Sequence, residues 1–537
     1  MTPIAMIDAE SVKALLDGSD EIALIDVREQ GAYGASHPIL AANIPLGRIE
    51  LFAGERLPRK SVPIVVEDSG EGEGLAETAA RKFMALGFTD VKMLEGGTKA
   101  WAAAGLELFS GMFVPSKAFG EFVEHAYDTP SVSADELKAM MDSDQKLIVV
   151  DSRPMDEYRV MNIPTGIDVP GAELVLRVGE MAPDPDTTVV VNCAGRTRSI
   201  IGAQSLINAG IPNKVVALRN GTMGWHLSGY KLEHGKQDFG PEPSPETLVE
   251  AQKRSAQVAT RFGVRGVDAA ALDLWRAEQD SRSLFILDVR TIEEFEAQRI
   301  ADSWHAPGGQ LVQSTDFYAP VRNARIVLVD DKLVRANMTA SWLAQLGWNE
   351  VYVLQDGLES QKTVSGPYVP PILGLEALPP LNEVSPTEAL EKMEAGTATL
   401  LDLAKALEYR DGHPEGAWWA NRTEILANID KIPADHMILL TSPDGSLLAR
   451  FAAAELLGAG WDVAVVDGGN AAWEALKLPM ASGITAVLNA PNDSYLRPYD
   501  RKNKAEIEKA MNDYLSWEVA LVEQIKKAGG IEFKKYA

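Results

Sequence analysis

The sequence predicts an α/β protein made of four tandem copies of one unit, each a mostly parallel sheet flanked by helices on both faces. Three recurring signals predict it: an apolar run ending in Asp, a second apolar run about forty positions later, and a Gly-bearing run that closes the unit.

The opening run recurs as ALIDVR (23–28), IVVDSR (148–153), FILDVR (285–290) and TLLDLA (399–404). Each reads as a short buried strand followed by a turn into a helix. The second run recurs as PIVVED (63–68), TVVVNC (188–193), RIVLVD (325–330) and MILLTS (437–442), and small and apolar residues at helical spacing follow it until a Gly stops the helix. The closing runs are VKMLEGGTKAW (91–101), VVALRNGTMGW (215–225), VYVLQDGLES (351–360) and VAVVDGGNAAW (463–473). Spacing ties the copies together: Asp26 to Gly97 is 71 positions, Asp151 to Gly221 is 70, Asp288 to Gly357 is 69 and Asp402 to Gly469 is 67.

Strands of continuous Val, Ile and Leu are buried on both faces, which in an alternating β/α chain implies a parallel sheet between two helical layers. In such sheets reactive loops follow the carboxyl ends of strands. Chemistry is therefore expected just after the second run.

The copies divide the chain into units at 1–112, 130–238, 263–369 and 381–484, with a helical tail at 485–537. Linkers are expected at 113–129, at 239–262, where PEPSPET is Pro-rich, and at 367–380. In the tail Ile507, Met511, Tyr514, Leu515, Leu521, Val522 and Ile525 form one helical stripe ended by Gly529 and Gly530, as expected of a helix docked on a neighbouring unit.

Composition narrows the function. Asp and Glu outnumber Lys and Arg by 77 to 51, and a net charge of −26 disfavours nucleic acid and anionic membrane as partners. An anionic substrate therefore needs a local basic pocket. The N-terminus has neither the basic start nor the apolar stretch of a secretory signal, so a cytoplasmic location is expected. One cysteine excludes an internal disulfide and multi-Cys metal or iron–sulfur sites. The seven histidines form no close pair, so neither a metal nor another cofactor is expected.

The second unit reads VVVNCAGRTRSIIG, with Cys193 at a strand end and Ser199 opening the next helix. A loop curled around one side chain at a helix N-terminus aims N–H groups at it, which favours a thiolate or persulfide. Asp151 with Arg153, the loop Cys193, Ala194, Gly195, Arg196, Thr197, Arg198, Ser199 and the closing NGTMGW, in that order, resemble the landmarks of the rhodanese family. The resemblance extends over the four repeats. It implies a sulfurtransferase in which Cys193 is catalytic and Ala194 to Ser199 bind the donor, Arg196 facing it and Arg198 either facing it or bracing the loop.

The other units depart from that pattern. Asp26 to Asp68, Asp151 to Cys193 and Asp288 to Asp330 each span 42 positions, and Asp402 to Ser442 spans 40. Asp68, Asp330 and Ser442 thus replace the cysteine, and a carboxylate cannot carry sulfane sulfur. These units are expected to be inactive. Asp26 with Arg28 and Asp288 with Arg290 recur where no nucleophile exists, so Asp151 with Arg153 reads as a structural ion pair. Trp101, Trp225 and Trp473 read as core, and His226 as structural.

The resemblance implies sulfur transfer from thiosulfate or a related small anionic donor, through a Cys193 persulfide, to cyanide or a thiol. A protein acceptor and homo-oligomer formation remain open. Two other readings stand beside it: a persulfide relay or sensing scaffold with three recognition units, and a cysteine phosphatase or arsenate reductase. The last expects Arg six positions after the cysteine, where Ser199 stands.

Overall fold

The computed structural model describes residues 3–536. Each of the four units forms a five-stranded sheet with the same spatial order, first, fifth, fourth, second and third strand. In the second unit these strands, in chain order, are Ser131–Val132, Leu147–Asp151, Ile167–Asp168, Thr188–Asn192 and Val215–Leu218. All its pairings are parallel, with Leu147 opposite Thr188 and Asp151 opposite Asn192. Thr188–Asn192 lies between two paired neighbours and is buried at every residue, which is why its sequence is unbroken by alternation.

The expected linkers differ from irregular connections. Val114–Tyr127 and Pro245–Arg261 are helices, and only the stretch around 367–380 stays mostly irregular. The Pro-rich PEPSPET reads as turn punctuation, but Ser244 accepts from the Thr247 N–H as an N-cap and Pro245 takes the first helical position. In the third unit the closing helix is reduced to a single turn, Leu358–Ser360, whereas the other units have Gly97–Ala103, Gly221–Leu227 and Gly469–Ala475.

The expected ion pairs and core tryptophans are in place. Arg28, Arg153 and Arg290 grip Asp26, Asp151 and Asp288 in buried forks, and each guanidinium also donates to a carbonyl eight residues on, at Ser36, Met161 and Gln298. The pair therefore fastens the strand end to the following helix. Trp101, Trp225 and Trp473 are buried and donate their indole N–H to Glu107, Lys231 and Pro479 carbonyls.

Units pack in two similar pairs. In the second and third, Gly171 meets Gly309 so closely that a Cβ on Gly309 would lie 3.0 Å from the Gly171 nitrogen. In the first and fourth, Arg422 donates to the Gly47 carbonyl at 2.8 Å and bridges Glu50 and Glu455. Gly47, Ala172, Gly309 and Thr423 each stand four residues past the end of the third strand, so both pairs join through the same segment. The first and third units share one apolar core, which also takes in Phe119 and Val123 of the helix Val114–Tyr127.

Candidate active site

Cys193 follows the central strand of the second unit and is 2% exposed. Its carbonyl accepts from the Thr222 N–H at 2.9 Å, and that of Ala194 from Met223 at 3.1 Å. Gly221 makes this approach possible: it has φ +52°, and a Cβ there would stand 2.2 Å from the Cys193 oxygen. A Cβ on Gly97 or Gly469 would likewise stand 2.4 or 2.2 Å from the carbonyl oxygen of Asp68 or Ser442, which explains the closing landmark in those units, whereas Gly357 of the third unit has open space around it.

The amides from Ala194 to Ser199 donate to no acceptor among the described residues. The degenerate units differ sharply. Asp68 accepts from the N–H of Gly70 at 2.9 Å and of Ala76 at 3.0 Å. Asp330 accepts from the N–H of Lys332, Arg335 and Ala336 at 3.3, 2.8 and 3.3 Å, and from the side chain of Arg335. In the fourth unit Ser442 donates to Asp444, which itself takes the Leu448 N–H. In each case the unit's own oxygen occupies its anion loop. Around Cys193 the donors remain for something else.

The side chains of the loop are arranged differently from the expectation. Arg196, expected to face the donor, places its guanidinium on Glu121 at 2.6 and 2.8 Å and on Glu124 at 2.5 Å, both on the helix Val114–Tyr127. These contacts fasten the loop to that helix. Glu121, Glu124 and His125 converge within a metal-like distance, but the Arg196 guanidinium bonds both carboxylates.

Arg198 forks onto Glu157 with two bonds of 2.7 Å and approaches Gln310 of the third unit at 3.4 Å. Burial alone would raise the Glu157 carboxyl, but the Arg198 charge outweighs it and pulls the group to about 2. Burial opposes the Arg198 charge in turn; Glu157, and further out Cys193 and Asp151, hold it above the ordinary arginine value. Arg198 is thus braced and also within electrostatic reach of the cysteine. Ser199 donates to the Arg196 carbonyl, and Thr197 to Glu518.

Glu518 introduces a part of the site that the loop motif does not reveal. The tail helix, Lys504–Ala528, lies across the loop, with Met511 and Leu515 packed on Met223 and Ala194. A Cβ on Gly195 would stand 3.2 Å from Glu518 Oε2 and 3.3 Å from Tyr514 Cε1, so glycine is what lets the helix settle there. Glu518 is fully buried, accepts from Thr197 and Tyr514 and lies 3.4 Å from Lys117. Tyr499 reaches Thr222 at 3.1 Å; burial pushes its hydroxyl up to about 12, and the Cys193 charge adds to that shift. His226 stands 3.6 Å from Glu508 of the same helix. The apolar stripe at 507–525 was the available signal for a docked helix, but a stripe does not say which surface it covers.

The second unit thus carries a cysteine just past the carboxyl end of a parallel strand, followed by loop amides without an acceptor among the described residues. The sequence matches the rhodanese-like domain family at residues 8–104, 133–228, 270–363 and 385–476, and the chain belongs to that family. It is similar over 99% of its length, and over all of the other chain, to a thiosulfate sulfurtransferase from Pseudomonas aeruginosa, with 45% identity and a TM-score of 0.93. Shorter similarities link 102 residues, at 28% identity, to a Bacillus subtilis (strain 168) protein named as a sulfur carrier, and 90 residues, at 31%, to an HTH-type transcriptional regulator of Mycobacterium tuberculosis. These matches cover 19% and 17% of this chain, and span 54% and 39% of those two relatives.

Proposed function

We propose that this protein is a cytoplasmic thiosulfate sulfurtransferase that works through a persulfide on Cys193. The observation that carries the reading is the contrast between loops: Asp68 and Asp330 fill theirs with a carboxylate, whereas the amides from Ala194 to Ser199 have no acceptor among the described residues. The full-length similarity to a thiosulfate sulfurtransferase supports it.

The Cys193 thiolate attacks the outer sulfur of thiosulfate. The new S–S bond forms as the old one breaks, and sulfite leaves with the electron pair. The terminal persulfide sulfur is stabilised by the loop N–H groups and the nearby charge of Arg198, a preorganised field that needs no separate base. Cyanide or a thiolate then attacks that sulfur and leaves as thiocyanate or a new persulfide, returning Cys193 to the thiolate. The kinetics are ping-pong.

Mass spectrometry after incubation with thiosulfate tests this. The chain should gain one sulfur, about 32 Da, that cyanide removes as thiocyanate. Cys193→Ser should gain none and lose turnover while keeping its fold; residual turnover above a few percent would place the chemistry elsewhere.

A further inference from the structure

A cavity lies between the first, third and fourth units and the tail segment that carries Asp493. It has a volume of about 110 Å³, and its wall includes Arg48, Phe52, Arg56, Phe317, Lys405 and Asp493. No residue of the second unit lines it.

Arg56 is only 5% exposed, and its environment differs from that of the other buried arginines. Arg28, Arg153, Arg177, Arg290, Arg335 and Arg422 each hold a carboxylate. Arg299 donates to two carbonyls. Arg56 instead lies over the rings of Phe52 and Phe317, at 4.2 and 3.7 Å, and makes one 3.3 Å bond to the Asn43 carbonyl. It has no carboxylate within 4.0 Å among the described residues, and neither do Arg48 and Lys405 on the same wall.

The carboxyl groups nearby offset this charge only in part: Glu55 attracts Arg56 from beyond 4.0 Å while its carboxylate accepts from the Tyr368 hydroxyl. Burial raises Glu29 and Asp316 to about 7 and raises Asp493, so near neutral pH the first two are partly protonated. A buried guanidinium without a carboxylate partner is unfavourable, and an anion in the cavity relieves that. The place suits a ligand: Glu29, Arg48 and Lys405 follow the carboxyl ends of strands in two facing units.

We propose that this cavity binds a small oxyanion, a sulfonate or a carboxylate of a few non-hydrogen atoms, on Arg56, Arg48 and Lys405. Phe52 and Phe317 hold the guanidinium plane, leaving its in-plane N–H groups to grip two oxygens.

Calorimetric titration of full-length Cys193→Ser with thiosulfate, sulfite and pyruvate tests the proposal. At least one probe should bind, and Arg56→Met and Arg48→Gln should each weaken that event about tenfold or more. Sulfite or thiosulfate binding alone identifies the sulfonate class, and pyruvate binding alone the carboxylate class. Arg48→Gln, at a half-buried position, serves as the second variant if Arg56→Met folds poorly. In the chain that keeps Cys193, Arg48→Gln should leave thiosulfate turnover within about twofold. The proposal is overturned if no probe binds, if both variants bind as the parent does, or if turnover falls in step with binding.

Discussion

Arg196 and Arg198 lie two positions apart, yet the structure separates their roles. Arg196 joins the loop to the helix Val114–Tyr127, and truncating it leaves the fully buried Glu121 without its partner. Arg196→Gln should therefore lower stability by about 3 kcal/mol in urea denaturation. Arg198 lies within electrostatic reach of Cys193, so Arg198→Gln should lower kcat/KM for thiosulfate by roughly 10- to 100-fold. An unchanged kcat/KM would remove Arg198 from the electrostatics of the site. At a third residue, Asp168, burial reinforced by the Asp151 charge raises the carboxyl from 3.8 to about 8, and neither of its oxygens has a hydrogen-bond partner among the described residues. Between those values the unfolded chain has released the proton that the folded chain keeps, so stability falls as pH rises from about 4 to 8. Asp168→Asn removes that slope. It should melt like the parent at pH 4 and be more stable by roughly 3 kcal/mol at pH 8.

At the scale of elements, the tail helix shows how much of the site was legible in advance. Cys193, the loop and the replacements Asp68, Asp330 and Ser442 could be read because loop chemistry is local and the repeat fixes the register. The covering helix could not be placed, because Glu518 and Thr197 meet over a separation of 321 positions. The same limit applies to the edge strands. Ile167–Asp168 and Trp418–Trp419 are two residues long, too short for a periodic signal, and form by pairing with the second strand of their sheets. The partner of Arg196 was equally hidden, since the sequence gives its charge but not the helix that receives it. Leu515→Ala should loosen the tail by about 2 to 4 kcal/mol locally and speed alkylation of Cys193 by a bulky maleimide. An unchanged rate would show that the helix does not limit access.

Across the whole molecule, two pairs of units joined through the same segment set how a local change spreads. Arg422 is 7% exposed and links Gly47, Glu50 and Glu455 across the first and fourth units. Arg422→Met should cost about 3 to 5 kcal/mol there, appearing as an early step in denaturation. Thiosulfate turnover should survive that step, because the second and third units keep their own contact through Glu173 and Arg335. The docking of Glu518 against Thr197 also gives the protein a birth order. A ribosome makes the cysteine loop about three hundred residues before the helix that packs on it, so the loop is first present without its Glu518 contact. The Thr197 hydroxyl therefore finds its acceptor Glu518 only once residues 504–528 have been made, which places the last contact of the loop late in synthesis.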